Sequence, residues 1–511
     1  MRLPADLRTG LWGCLCVAGS ALAGGCGAAP QGQAWLEVRT AHFDVHTDLL
    51  EPAALDMARA LEEARAALIA VAWKGAPDPR GRTEVAVFAR EGHFHDYIAS
   101  DYTDGLAQSW VGSERFIVVH WDDERPSGLP RVAVHEIAHD LSHWFTPLQP
   151  AWYSEGMASF LEGLEYDRAT HRAILGGIPA PMVRTLKSVG RTASSAEGLF
   201  AARSAIHDDD MTTSRFYFTS WLLVHYLINR HGESFILFQR DLSHLRDWRE
   251  AWSDRFPRLG PTPLDAGLDE YLDGGTFEHA AATVEVPPFS PSVRTLSPAE
   301  GHGLSSWMAY RLGARELSAQ ARDLALALDP HELNALRTRY QGLNATSGAA
   351  ERLAIARQLV KAHPESGEAW LLLANSGESE QERSGARDQA LRLMPDHPGV
   401  IELLAARALD VPDPAAALAY TKLLIRRTTV APSIAELHLR AMAMAGRCDD
   451  ARHFAQSVSA SYPVGCSLVR RGGRVSCLAA FEDLVRESCS NLAPAPASEV
   501  KVPQPHAAVG P

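Results

Sequence analysis

Two histidines four residues apart, with a glutamate beside the first, constrain this chain more tightly than any other feature: His135-Glu136-Ile137-Ala138-His139. Val134, Ala138, Leu141 and Phe145 recur at helical spacing behind Pro130, a residue suited to a first turn, so the pattern predicts a helix over 130–145. Four residues turn a helix by about 400°, which puts both imidazoles on one face, one turn apart, with Glu136 pointing beside them. Such a face can reach one metal ion and hold a base next to it. With 21 His in 511 residues, chance supplies a pentapeptide of this kind about 0.05 times per chain. A carboxylate follows sixteen residues after His139, in Trp152-Tyr-Ser-Glu155-Gly-Met-Ala-Ser159-Phe-Leu-Glu162, and a helix is predicted over 155–165. Two imidazoles and one carboxylate make three protein ligands and leave a fourth position open, as a catalytic zinc requires. His143 continues the stripe, but eight residues carry it about 12 Å along the axis, so it reads as a structural or surface histidine.

HExxH followed by Trp-x-x-Glu-Gly-x-Ala resembles the gluzincin metallopeptidases, particularly the bacterial kind called peptidase MA-like, over about 35–230 and most strongly over 132–162. The resemblance implies an α+β zincin-like domain with one Zn2+ per chain held by His135, His139 and Glu155. It also implies Glu136 as general base and a protein or peptide substrate. Better-known gluzincins often carry an acid one turn after the ligand Glu to orient a zinc-bound His. Here that position is Ser159, and Asp140 or Glu162 would serve instead. In Tyr217-Phe-Thr-Ser-Trp221-Leu-Leu-Val-His225-Tyr226 the Tyr-x-x-Ser-Trp pattern resembles the helix that follows the metal site in these families. The oxyanion donor is therefore expected to be Tyr217, with His225 as the fallback, although aromatics at this spacing also read as core. Substrate is expected to add as an extended strand to a sheet edge beside the metal helix. Phe116 to His120 is the candidate edge; it reads equally as a core strand, and Ser109-Trp110-Val111 could take its place.

The rest of the N-terminal half supports mixed structure. Leu36, Val38, Phe43 and Val45 alternate with polar residues as in a half-buried strand, and Leu55, Ala58, Leu61, Ala64, Leu68 and Ala72 recur at helical spacing. Short strands are predicted at 84–89 and 116–120, a helix at 215–230 and mostly loop at 176–210. Together these define a peptidase domain over 35–286.

Pro287, Pro288, Pro291 and Pro298 then mark a linker, 287–303, after which the composition shifts to Ala, Leu and Arg. Prolines recur at 330, 364, 395, 432 and 463, a spacing near the tetratricopeptide period of about 34. Ala325-Leu-Ala-Leu-Asp-Pro330 and Ala390-Leu-Arg-Leu-Met-Pro395 resemble the end of such a repeat, and Glu368-Ala369-Trp370-Leu371 its start. The region 304–490 is expected to be an all-α solenoid that folds by itself and recruits a protein partner or substrate. Its last unit carries Cys448, Cys466, Cys477 and Cys489, which read as two disulfides with three possible pairings, or as buried thiols. A Pro- and Ala-rich tail, 491–511, is expected to be disordered.

Arg2 and Arg8 precede an apolar stretch, Gly10 to Ala23, too short to span a membrane but suited to a secretory signal over 1–25. Leu22-Ala23-Gly24-Gly25-Cys26 resembles a lipoprotein box, so Cys26 is expected to carry a lipid, with 26–34 as tether. The expected location is the bacterial cell envelope, membrane-anchored only through that lipid; a soluble periplasmic or secreted protein is the alternative. Lys+Arg 49 against Asp+Glu 62 leaves a net charge of −13 and no basic run, which excludes a nucleic-acid partner. The competing function is an anchored tetratricopeptide-like adaptor whose metallopeptidase domain is inactive or structural. The intact His135, Glu136, His139 and Glu155 favour the enzyme. Cys26→Ser is expected to block precursor cleavage or release the protein from membranes; the mass of the mature N-terminus checks it, and cleavage elsewhere without lipid mass would favour the soluble form.

Overall fold

The computed structural model describes residues 34–98, 105–108, 116–121, 131–177, 182, 194–202, 210–274, 280–428, 430–461, 466–470 and 473–490. The expected signal segment 1–25, Cys26, Ser109-Trp110-Val111, Pro130 and the 491–511 tail lie outside them, as does the expected tether except for Ala34.

The N-terminal part is built on strands β1 (Leu36–Arg39), β2 (Phe43–Thr47), β3 (Thr83–Phe88), β4 (Gly105–Gln108), β5 (Phe116–His120) and, far along the chain, β9 (Ser292–Thr295). They form one mixed sheet in the order β4-β5-β3-β2-β1-β9. Helix α1 (Glu51–Ala72) makes the crossover between the parallel strands β2 and β3, as parallel pairing demands. Val45 faces Val85, and Val85 faces Ile117. With Val38, Val87 and Val119 they form one apolar face, covered by α1 and by α3 (Arg131–Phe145). The other face of β3 and β5, carrying Ala86, Phe88, Phe116 and Val118, is covered by Phe94 of α2 (Glu91–Tyr97) and by Leu304 and Met308 of α9 (Pro298–Leu312). Burial on both faces explains why these two strands read as nearly continuous apolar runs.

Strand β5, the candidate substrate edge, is interior: it pairs with β3 on one side and antiparallel with β4 on the other. Among the described residues the edge on that side belongs to β4. A second, three-stranded sheet of β6 (Glu165–Asp167), β7 (Arg172–Leu175) and β8 (Ala280–Thr283) follows α4 (Ala151–Leu161), which begins earlier than the expected residue 155. Helices α5 (Ala196–Ala201), α6 (Asp210–Ser243), α7 (Trp248–Arg255) and α8 (Pro261–Gly274) complete this part, with α6 kinked at His231.

From α9 onward a long run of helices takes over: α10 (Arg315–Leu328), α11 (Leu333–Gly342), α12 (Ala349–Ala362), α13 (Gly367–Ser376), α14 (Glu380–Leu393), α15 (Pro398–Asp410), α16 (Pro414–Arg427), α17 (Pro432–Met444), α18 (Cys448–Ser461) and α19 (Cys477–Ser490). They pack pairwise as a repeat-like array, each helix against its chain neighbour. Pro330, Pro364 and Pro395 fall in the turns between pairs and Pro432 opens α17, positions where a missing N–H costs no helical hydrogen bond. Of the three possible pairings, the disulfides are Cys448–Cys489 and Cys466–Cys477. Closing loops with separations of 41 and 11 residues restricts the unfolded chain by about 4 and about 3 kcal/mol.

The expected linker is part of the fold. Strand β9 lies inside it and pairs antiparallel with β1, and α9 begins inside it. The buried Arg311 guanidinium of α9 pairs with Glu84 of β3 at 2.5 Å and covers the Phe116 ring at 3.7 Å. Further along, the array meets α3 again. His143 Nε2 lies 2.6 Å from the Thr428 carbonyl, and Arg426 donates to the carbonyls of Trp144 and Ser243, each at 2.9 Å. Between these two attachments a polar cleft of about 910 Å³ separates the Arg39, Asp44 and His46 side of the sheet from Glu332, Glu368 and His397 of the array. A chain cut at residue 290 would lose β9 and the Leu296, Leu304 and Met308 cover over Phe88 and Phe116. At about 1.5–3 kcal/mol per large apolar side chain, that loss is about 5–10 kcal/mol, comparable to a domain's whole stability. Residues 27–290 expressed alone are therefore expected to be insoluble or to melt far below the full chain; a soluble fragment with an unchanged melting temperature would contradict the interface.

Candidate metal centre

Helix α3 forms where the sequence predicts it because Val134, Ile137, Ala138, Leu141 and Phe145 supply one apolar stripe that the sheet and α1 bury. The Phe145 ring stacks on Trp73 at 5.0 Å, and Asp140 accepts a hydrogen bond from the Thr83 hydroxyl at 2.9 Å, which ties the helix to β3. Its opposite face turns His135 and His139 toward α4.

Helix α4 is held from two sides. Trp152, fully buried, stacks on Phe238 and meets Trp252 edge-on at 5.7 Å. Gly156 allows α4 to cross α6 closely: a Cβ there would lie 2.4 Å from the Ser220 carbonyl oxygen and 2.7 Å from Val224. That crossing accounts for the glycine directly after Glu155, and it brings Glu155 under the two histidines.

Glu155 Oε2 lies 3.3 Å from His139 Nε2 and 3.7 Å from His135 Nε2, and the two Nε2 atoms are 3.1 Å apart. These three residues are also the group among the described residues that could hold a metal, their ligand atoms lying within 4.8 Å of one another. Tetrahedral ligands at about 2.0–2.1 Å from zinc stand about 3.3 Å apart, so the triangle has the right size. Glu155 Oε2 is buried without a hydrogen bond of normal geometry, as a ligand oxygen would be. Burial alone would lower the His135 pKa, but Glu155 and Glu162, with the charge of Glu136, push it up to about 10. Burial would raise Glu155, but His139 and His135 hold it well below the usual carboxylate range. The pocket thus concentrates negative charge that a cation would neutralise.

Glu136, on the same helix, is buried at 7% exposure. Tyr217 of α6 lies near enough to Glu155 that this charge, with burial and the charge of Glu136, raises its phenol pKa and keeps it a hydrogen-bond donor. His225, two turns further along α6, is not at the site. It is fully buried, with Nδ1 2.7 Å from the Tyr271 hydroxyl and Nε2 3.3 Å from the Gly176 carbonyl, so the fallback donor is a core residue. His143 is structural, as its contact with Thr428 shows. Asp140 faces β3 and is removed from the orienting role by Thr83. Ser159 is buried, and its hydroxyl has no hydrogen-bond partner among the described residues. Glu162 Oε2 lies 3.4 Å from His135 Nδ1, and Ser154 Oγ lies 3.1 Å from His139 Nδ1. Sequence reading missed Ser154, because no periodicity distinguishes a lone serine beside a ligand.

Among known protein families, a model described as "Protein of unknown function (DUF1570)" matches residues 131–247, a span that contains α3, α4 and α6. No curated protein matches the chain. Purified protein is expected to bind one zinc per chain, and Ala at His135, His139 or Glu155 is expected to abolish stoichiometric binding. Elemental analysis checks this; metal content unaffected by all three substitutions would refute the site.

Proposed function

We propose that this chain is a zinc-dependent endopeptidase of the gluzincin, peptidase MA-like kind, acting outside the cytoplasm in the bacterial cell envelope. The observation that carries the reading is the triangle of His135, His139 and Glu155 with the Glu136 carboxylate beside it. A helix carrying two of the ligands against a mixed sheet, and a second helix delivering the third, fits the zincin-like fold that the sequence suggests. The disulfides at the C-terminal end suit an oxidising compartment, and no helix among the described residues is long and apolar enough to cross a membrane. Attachment would come from a lipid on Cys26. The helical array, tetratricopeptide-like in its period, would recruit the substrate or a partner.

The residues divide the work of amide hydrolysis among them. His135, His139 and Glu155 would hold the zinc, which when bound acts as a Lewis acid and acidifies water. Glu136 takes the proton of the attacking water and returns it to the leaving nitrogen, a transfer that favours a carboxylate shielded from bulk solvent. Tyr217, its phenol kept protonated by the surrounding carboxylates, donates to the oxygen that gains charge as the carbonyl becomes tetrahedral. Strand β4 offers the sheet edge along which an extended peptide would add.

Two substitutions test the reading in the full chain. Glu136→Gln is expected to keep the metal but lose peptide hydrolysis by several orders of magnitude, because an amide cannot accept the proton. Tyr217→Phe is expected to keep the metal and lose about 100- to 1000-fold in kcat. Metal analysis together with cleavage of a peptide library measures both. A Glu136→Gln variant that cleaves like the parent would overturn the mechanism, and a parent with zinc but no hydrolysis would favour the adaptor.

A further inference from the structure

We propose that the disulfide-closed end of the helical array, α16 to α19, is a clamp that sets the spacing of the candidate metal ligands, with Leu148, Leu245 and Arg426 as its positioning residues. The proposal rests on the metallopeptidase reading and gives this end of the array a part in the site itself, apart from any recruitment by the repeats.

The three helices that carry the site are all held from this end of the array. Arg426 of α16 donates from one guanidinium nitrogen to the Trp144 carbonyl and from another to the Ser243 carbonyl, each at 2.9 Å. Those carbonyls lie in the last turns of α3 and α6, where no further helical N–H remains to donate and where a cation suits the helix dipole. A single side chain therefore caps two helix ends and fixes the distance between them. In the turn from α3 to α4, Leu148 is buried in the same apolar cluster as Ile425 of α16, Ile434 of α17, Phe454 of α18 and Phe481 of α19. Trp144 follows the ligand His139 on α3, and Leu148 precedes the ligand Glu155, so both anchors lie close to a ligand along the chain.

Leu245 supplies an independent observation. It lies just past α6 with φ at 65°, a left-handed conformation that favours glycine. The turn is closed by the Leu245 N–H on the Leu242 carbonyl at 2.9 Å and the Arg246 N–H on the Asp241 carbonyl at 3.2 Å, a helix ending that most often has glycine where Leu245 stands. A leucine is held there against backbone strain, and its side chain packs on the α16 to α19 cluster. The same end of α6 carries Phe238, on which Trp152 stacks, and Gln239, which donates to the Tyr153 hydroxyl at 2.9 Å. It thus holds the first turn of α4, from which Glu155 follows. Behind the cluster, Cys448–Cys489 ties α18 to α19, and Cys466–Cys477 pins the start of α19. The last unit of a repeat array has a repeat neighbour on one side only, and here it is closed covalently where it bears on the site helices.

The test uses the full chain and its Arg426→Met, Leu148→Ala and Leu245→Gly variants, with Leu373→Ala, in the apolar core around α13, as the control. In competition with a chelator, the zinc dissociation constant is expected to rise about 2- to 30-fold in the three clamp variants and to stay unchanged in the control. In the metal-free chain with labelled histidine, the ring C–H signals of His135 and His139 are expected to shift in the clamp variants and not in the control. Thermal melting selects the variants that are folded at the temperature of measurement. Leu245→Gly relieves the backbone, so a role confined to ending α6 would leave its zinc affinity unchanged. Unchanged affinity in any folded clamp variant of a zinc-binding parent, or an equal loss in Leu373→Ala, would overturn the proposal. A parent that takes up no zinc, yet whose histidine signals respond to the clamp variants alone, would overturn the metallopeptidase reading while supporting the clamp; signals unmoved in such a chain would overturn both.

Discussion

The close crossing of α4 over α6 at Gly156 sets where Glu155 can be, and the rest of the site depends on it. A candidate metal position defined by three atoms 3.1–3.7 Å apart tolerates little displacement of either helix that bears them. The crossing works because the residue after the ligand has no side chain and the helix opposite presents the Ser220 backbone and Val224 at contact distance. Trp152, wedged among Phe200, Phe238, Trp248 and Trp252, keeps α4 from sliding along that crossing. Packing density here does the work of a hinge pin: close-packed interiors transmit any shift to their neighbours.

Charge is arranged around the same point. Glu136, Glu155 and Glu162 converge on two imidazoles and are all largely buried, a combination that costs desolvation energy unless the charges are paired. The pairing is local: Glu155 with both rings, and Glu162 with His135 and Arg131. Both imidazoles turn Nε2 inward and Nδ1 toward an oxygen of α4 or of the residue that caps it. This is the orientation that ligation through Nε2 needs.

The helical array is bound to the sheet that carries the site. α9 is the outer cover of β3 and β5, and α16 with the residue after it braces the end of α3 through Arg426 and Thr428. Arg311, a charged group with a fully buried side chain, is tolerated in that cover because Glu84 and the Phe116 ring accept it. The polar side of β1 and β2 faces a cleft whose other wall carries Glu332, Glu368 and His397 of the array.

What could be read from the sequence was local. The HExxH spacing, the apolar stripe of α3, the short strands near 84–89 and 116–120 and the proline rhythm of the array are each set within one or two turns or strands, where 3.6- and 2-residue periods speak directly. Glu155 was legible because its surrounding pattern resembles a known one. The choice between Glu162 and Asp140 was not, since both are acids near a ligand and only the packing of α3 against β3 and α4 shows that they face opposite ways. Tyr217 and His225 share one helix and one aromatic pattern; burial among Tyr271, Gly176 and Phe160 takes His225 out of reach. The proline cluster near 290 carries the local signature of a linker, yet it holds the strand that completes the sheet, because pairing with β1 depends on residues some 250 positions away. Sequence by itself therefore determined the metal-bearing helix α3 and the side chains it offers, and the helical character of the array. Tertiary structure alone decided which of those side chains share a site, because distance across a fold is set by packing between segments and not by their order along the chain.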